Sequence, residues 1–319
     1  MSPRARIYAI VAVVCVAAGG VAAGIVLAAG GSSHARVAEK GNPPLELDLG
    51  LRTDPQAMAL RRAARLYLHG RLAQAESTFR RFHSLQAEVG AAMAAWPGGT
   101  TRRLEELAAA HPHSASVLLN LGFALFWEGN GRLATEAWHR ATRVQPDTPS
   151  AVRADDLLHP HYNRGLPTFV PSFRPQPLPR LSPARQLALL AKRARTDDVR
   201  AKIEYGIALQ RLGRPVSAER AFAQAATLAP HDVDARVAAA VGRFNKDHPE
   251  RAFSRLGPLV RVFPHAPTVR FHLGLLLLWL GQVNAGVHQL RLAHAEGPHT
   301  TLGHEAEIFL ERLKSVPNK

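Results

Sequence analysis

Sixteen histidines are the residues of this chain best suited to chemistry, since imidazole binds metals and moves protons near neutral pH. His111-Pro112-His113 and His159-Pro160-His161 each offer two ligands within three residues. His113, His231, His265 and His299 each follow a proline directly. A zinc ion needs three or four donors about 2 Å away, and no further ligands flank either pair. HEAEI at 304–308 lacks the second histidine of the H-E-x-x-H metalloprotease pattern. The only cysteine, Cys15, lies in an N-terminal apolar run, which excludes a disulfide framework and a Cys-based zinc site within one chain. Glu105-Glu106 and Asp155-Asp156 read as solvated faces or helix-end charges. No nucleophile elbow, phosphate-binding glycine loop or dinucleotide fingerprint is present. The expectation is surface histidines, with no catalytic residue, metal or cofactor: not an enzyme.

The elements that carry these residues repeat. Pro112 to Pro146 is 34 residues, as are Pro230 to Pro264 and Pro264 to Pro298, while Pro146 to Pro230 is 34 plus 50. Gly122, Gly206 and Gly274 each lie 24 residues before a closing proline, and Gly129, Gly213 and Gly281 lie 17 before it. Trp138, Phe222, Leu256 and Leu290 lie eight before it. This spacing predicts helical hairpins. A small residue in the first helix admits a large one from the second, glycine breaks the chain between them, and proline ends the pair.

Residues 115–148, 199–232 and 267–300 resemble the tetratricopeptide repeat family on these landmarks. The repeat at 233–266 is degenerate, with Ala240 and Arg243 where glycine and a large apolar residue are usual. An upstream unit has Gly70, Ala75 and Phe79 in phase, with its second helix expected to run on through Trp96 to Pro97-Gly98-Gly99. The resemblance implies an all-α, right-handed α-solenoid of hairpins. Its layers are about 8–10 Å apart, so the post-proline histidines cannot share one metal.

The leucine-rich run HLGLLLLWLGQ (272–282) is too short to span a membrane and becomes the first helix of the last complete repeat. By the family pattern the first helices line a concave, partner-binding face. Its expected anchors are Leu119, Phe123, Phe126 and Trp127, then Ile203 and Ile207, then Val237, Val241 and Phe244, then Phe271, Leu275, Leu278 and Trp279. The 50-residue interval reads as a repeat of two helices, 150–158 and 183–195, interrupted by an extended arm with seven prolines between 160 and 183. That arm, or the helix at 303–314, could instead cover the groove from within.

Ile7 to Ala29 is uncharged for 23 residues, long enough as a helix to cross about 30 Å of hydrocarbon. It reads as a single membrane anchor, with a cleaved signal peptide as the alternative. A short basic start before it places the bulk of the chain outside the cytoplasm. The formal charge of +15 comes from 34 Arg and 6 Lys against 25 acids. The expected layout is a basic start (1–6), anchor (7–30), linker (31–54), N-terminal repeats (55–148), the interrupted repeat (149–198, insertion 159–183), C-terminal repeats (199–300) and a capping helix and tail (301–319). The expected function is a membrane-tethered scaffold or assembly factor that binds a protein or peptide segment in its groove. Family resemblance places such layouts in bacterial envelope assembly. The alternative is a basic adaptor for nucleic acid or an anionic surface.

Overall fold

A computed structural model describes residues 41–314. The basic start, the expected anchor at 7–30 and the tail at 315–319 lie outside the described residues. Those residues contain sixteen helices and no strand. No helix among them is long and apolar enough to cross a membrane. They fall into two compact units, one ending at His159 and the other beginning at Pro160.

The first unit opens with an extended segment, 41–49. Three helix pairs follow: α1 (Pro55–Leu68) with α2 (Leu72–Phe79), α3 (Leu85–Ala94) with α4 (Thr100–Ala110), and α5 (Ala115–Trp127) with α6 (Gly131–Val144). A single helix, α7 (Pro149–Leu158), closes the unit. The first helices stack α1 on α3, α3 on α5 and α5 on α7.

The second unit repeats the plan. It opens with the proline-rich segment, continues through α8 (Pro183–Arg193), and pairs α9 (Val199–Arg211) with α10 (Pro215–Leu228). Next come α11 (Val233–Val241) with α12 (Glu250–Leu256) and α13 (Leu259–Val262), then α14 (Pro267–Trp279) with α15 (Val283–Glu296). The closing helix is α16 (Thr301–Lys314), and the stacked first helices are α9, α11, α14 and α16.

The sequence landmarks explain this geometry. Two residues after each closing proline stands the N-cap of the next first helix. Ser114, Thr148, Asp232 and Thr300 accept from the amides of Val117, Ala151, Ala235 and Gly303 at 2.8–3.3 Å, which satisfies a donor that the helix end would otherwise leave open. Gly129, Gly213 and Gly281 take φ of +86°, +67° and +71° at the hairpin bends, a region that costs an L side chain energy. Gly122 and Gly206 face the rings of Trp138 and Phe222 so closely that any Cβ would overlap them. Each unit has its own apolar core around these contacts.

Three local expectations are revised. The upstream second helix does not run to Trp96: α2 stops at Phe79, and α3 begins after Ser84 and packs Gly90 on the Phe79 ring. The degenerate repeat is shortened, its first helix ending at Val241 and its second divided at Gly257-Pro258, where proline lacks an amide donor. The helices at 149–158 and 183–193 lie in different units: α7 packs on α5 and α6, and α8 packs on α9. The proline-rich stretch between them therefore opens the second unit.

Candidate functional site

In each unit an extended stretch of the chain lies against the first helices that follow it, its backbone held by their side chains. In the first unit Asn120 of α5 accepts from the Glu46 N–H at 3.1 Å and donates to the Glu46 carbonyl at 2.7 Å. Gln86 of α3 accepts from the Asp48 N–H at 2.8 Å. Tyr67 donates its hydroxyl to the Pro43 carbonyl, and Trp127 Nε1 donates to the Gly41 carbonyl at 3.0 Å. Leu45, between these anchors, and Leu49, just after the last, are buried. Burial raises the Tyr67 phenol well above its ordinary value, so it stays a neutral donor.

The second unit holds 166–176 by the same logic with different groups. Gln210 of α9 accepts from the Phe169 N–H at 3.0 Å and donates to the Pro167 carbonyl at 3.4 Å. His272 of α14 accepts from the Val170 N–H at 2.9 Å. Asp234 of α11 accepts from both the N–H and the hydroxyl of Ser172, at 3.2 and 2.6 Å. Glu204 of α9 accepts from the Gln176 N–H at 2.8 Å. Phe169 stacks on the His272 ring with centroids 4.8 Å apart and meets Phe222 edge-on at 6.0 Å. The Arg200 guanidinium lies 5.2 Å over the Phe173 ring, a cation–π contact.

Protonation follows from these contacts. His272 Nδ1 lies 2.7 Å from the Thr268 carbonyl, so that nitrogen carries the proton and Nε2 keeps the lone pair that receives Val170. Burial lowers the His272 pKa from 6.5 to about 4, opposed by the Thr268 carbonyl. Burial raises Asp234, opposed by its bonds from Ser172, and raises Glu204, opposed by the Gln176 amide.

Gln86, Asn120, Glu204 and His272 occupy one repeat position. Each stands 26 residues before a closing proline, at 112, 146, 230 and 298. Four first helices thus present a polar side chain at the height of the strap, while α11 has Ala238 at that position and reaches the strap through Asp234 instead. These groups were not singled out in the sequence, although Asn120 in ASVLLNLGFALFW and His272 in PTVRFHLGLLLLW are conspicuous as polar residues in largely apolar helices.

Most of the apolar residues expected to line the groove lie inside the chain. Leu119, Phe123, Ile203, Ile207, Val237, Val241, Phe244, Phe271, Leu275, Leu278 and Trp279 are all buried. Phe123 packs edge-on against Trp138 of the second helix, Phe271 against Phe309 of α16, and Trp279 against Phe244. Both candidate covers are thus in contact with the layer: the arm through Phe169 and Val170, and the C-terminal helix through Phe309. Phe126 and Trp127 differ, being 53% and 38% exposed. Arg211 makes contacts of its own, and the post-proline histidines His113, His231, His265 and His299 are all exposed.

The hairpins resemble those of the tetratricopeptide repeat in their 34-residue period, their glycine-to-aromatic packing and their stacked first helices. No protein-family model matches the chain, and no curated protein does. Similar solved structures include a tetratricopeptide repeat protein from Parabacteroides merdae, at 13% identity over 82% of this chain and 99% of that one, with a TM-score of 0.33. The TPR2AB domain of yeast Sti1 in its pHSP90 complex aligns at 9% identity over 82% and 98%, with a TM-score of 0.30. Yeast Tom70 aligns at 12% identity over 81% of this chain and 53% of that one, with a TM-score of 0.32.

Proposed function

We propose that this chain is a protein-binding scaffold or assembly factor, tethered to a membrane by residues 7–30 with its helical units outside the cytoplasm. The observation that carries the reading is the row of polar side chains at one repeat position, each bonded to the backbone of an extended segment. Backbone bonds of this kind accept many sequences, while the neighbouring apolar contacts select among them. Nothing in the described residues assembles a nucleophile, a base and an oxyanion site, so binding accounts for the geometry without a reaction. Envelope assembly is the setting we assign, on the membrane anchor and the hairpin array together.

The test is photo-crosslinking from a probe at Phe126, the most exposed aromatic side chain of α5, with the full chain in its own membranes. One or two recurrent protein adducts support the scaffold. Adducts to nucleic acid, or capture that collapses between about 50 and 200 mM salt, would replace it with a basic adaptor.

A further inference from the structure

The proline-rich strap is held as a ligand would be held. Its bonds to Gln210, His272, Asp234 and Glu204 run from strap backbone to helix side chain, so they record the path of the strap, which bends at Ser172-Phe173, and where it has an N–H. Its side chains divide by position: Pro167, Phe169, Val170 and Pro171 are buried, Leu166 and Phe173 are partly buried against the core, and Ser172, Arg174 and Gln176 are exposed.

Opening such a seat returns part of its cost. If the strap leaves, the two carboxylates and the imidazole regain water, and the burial that raises Glu204 and Asp234 is relieved. Against this gain stands the apolar loss of Phe169 and Val170, with Pro167 and Pro171 beside them and Leu166 and Phe173 at the margin. An ordinary core loop offers no such exchange, because its removal would expose apolar surface alone.

We infer that residues 166–176 are a cis-bound occupant of the second unit, displaced by an extended partner segment of matching chemistry. That segment places an aromatic residue and then a β-branched one in the Phe169-Val170 seat. It carries non-proline residues at the positions matching 169, 170, 172 and 176, because each must donate an N–H. The inference rests on the scaffold reading and adds to it the occupant and the competitor. A partner binds at the expense of the strap, so its apparent affinity is reduced by the fraction of chains whose seat is filled.

The experiment uses the full chain in detergent and a labelled synthetic peptide, RGLPTFVPSFRPQP, copied from residues 164–177. Phe169→Ala weakens the strap and leaves every seat residue in place. The expected result is peptide binding at least about tenfold tighter to this variant than to the unaltered chain, with a scrambled peptide binding neither, since the cis competitor acts through its high effective concentration. Equal affinity for the two chains overturns the inference. So does a concentration-dependent dimer of Phe169→Ala, which would give the seat to the strap of a second copy.

Native-state hydrogen exchange of the unaltered chain decides the matter should the variant fail to fold. Amides of Phe169, Val170 and Ser172 exchanging while α9 and α14 stay protected support a displaceable strap. Exchange of those amides only on global unfolding makes the strap a fixed part of the core and overturns it. Neither readout depends on adducts at Phe126, so the inference and the scaffold reading fail separately.

Discussion

The two units share a plan, yet they grip their straps with different chemistry. At the same repeat position the first unit carries the amides Gln86 and Asn120, and the second carries the ionisable Glu204 and His272. An amide both donates and accepts, so Asn120 satisfies the N–H and the carbonyl of Glu46 together. A carboxylate or a neutral imidazole nitrogen only accepts, so the second strap is read through its N–H groups, with Gln210 also donating to the Pro167 carbonyl. The tryptophans at matching positions diverge as well. Trp127 donates to Gly41, while Trp279 is buried against Phe244 with no hydrogen-bond partner for its Nε1 among the described residues. One architecture thus supports a grip indifferent to pH and another sensitive to it.

The hairpin cores, by contrast, should be equivalent, and the largest effects test that. Trp138→Ala and Phe222→Ala each remove the ring packed on a glycine of the facing helix. Each should cost its own unit about 3–5 kcal/mol, measured by denaturant unfolding with exchange mass spectrometry to separate the units. A gap of more than about 2 kcal/mol between them would break the parallel.

Acid comes next. His272 has its pKa lowered to about 4 from an ordinary 6.5. Between those values the unfolded chain binds a proton that the folded chain refuses, so stability falls as pH drops from 6.5 towards 4, by up to about 3 kcal/mol. Asp234 and Glu204, raised by burial, act in the opposite sense, since the folded state takes up their protons first. Trp279 is the only tryptophan after residue 138, so its fluorescence follows the second unit. His272→Gln should remove the acid-induced fall, and an unchanged pH profile would assign that fall to other groups.

Asn120→Ala should destabilise the first unit by about 1–3 kcal/mol, because a buried donor and acceptor are left unmatched. Its effect should be flat between pH 7 and 5 on a thermal-unfolding series, in contrast to the His272 variant. The smallest effect is Trp127→Phe. It loses one bond at a partly exposed site and should cost no more than about 1 kcal/mol, with faster exchange confined to the amides of Gly41 and Asn42 at the start of the strap.

The hairpins were legible because their causes are local and periodic. Gly122, Gly206 and Gly274 announce close approach, Gly129, Gly213 and Gly281 announce bends, and the closing prolines set the phase. The seat was harder to read. Reasoning from apolar anchors pointed to residues such as Phe123 and Phe271, which the fold uses to join its helices. The side chains that touch the straps are polar, and their partners lie 74 residues away for Asn120 and 102 for His272. Phase alone marks them, since no local rule says what a lone polar group in an apolar helix will meet. The end of α2 was misread for a related reason: an alanine-rich run such as 87–95 suits continuation of a helix as well as the start of a new one.

Prolines at 167, 171 and 175 leave the second strap without backbone donors at three places, and Pro177 and Pro179 continue the pattern just beyond it, while the amides at 169, 170, 172 and 176 are taken up by helix side chains. A long extended stretch with an unbroken row of donors is a template on which strands from other molecules can assemble. Here the row is broken by proline, and four of its remaining members are occupied. The chain can therefore carry an extended stretch of this length at high local crowding without seeding intermolecular β-pairing. Even when released, the strap would remain a poor nucleus for fibres, because proline cannot complete a ladder.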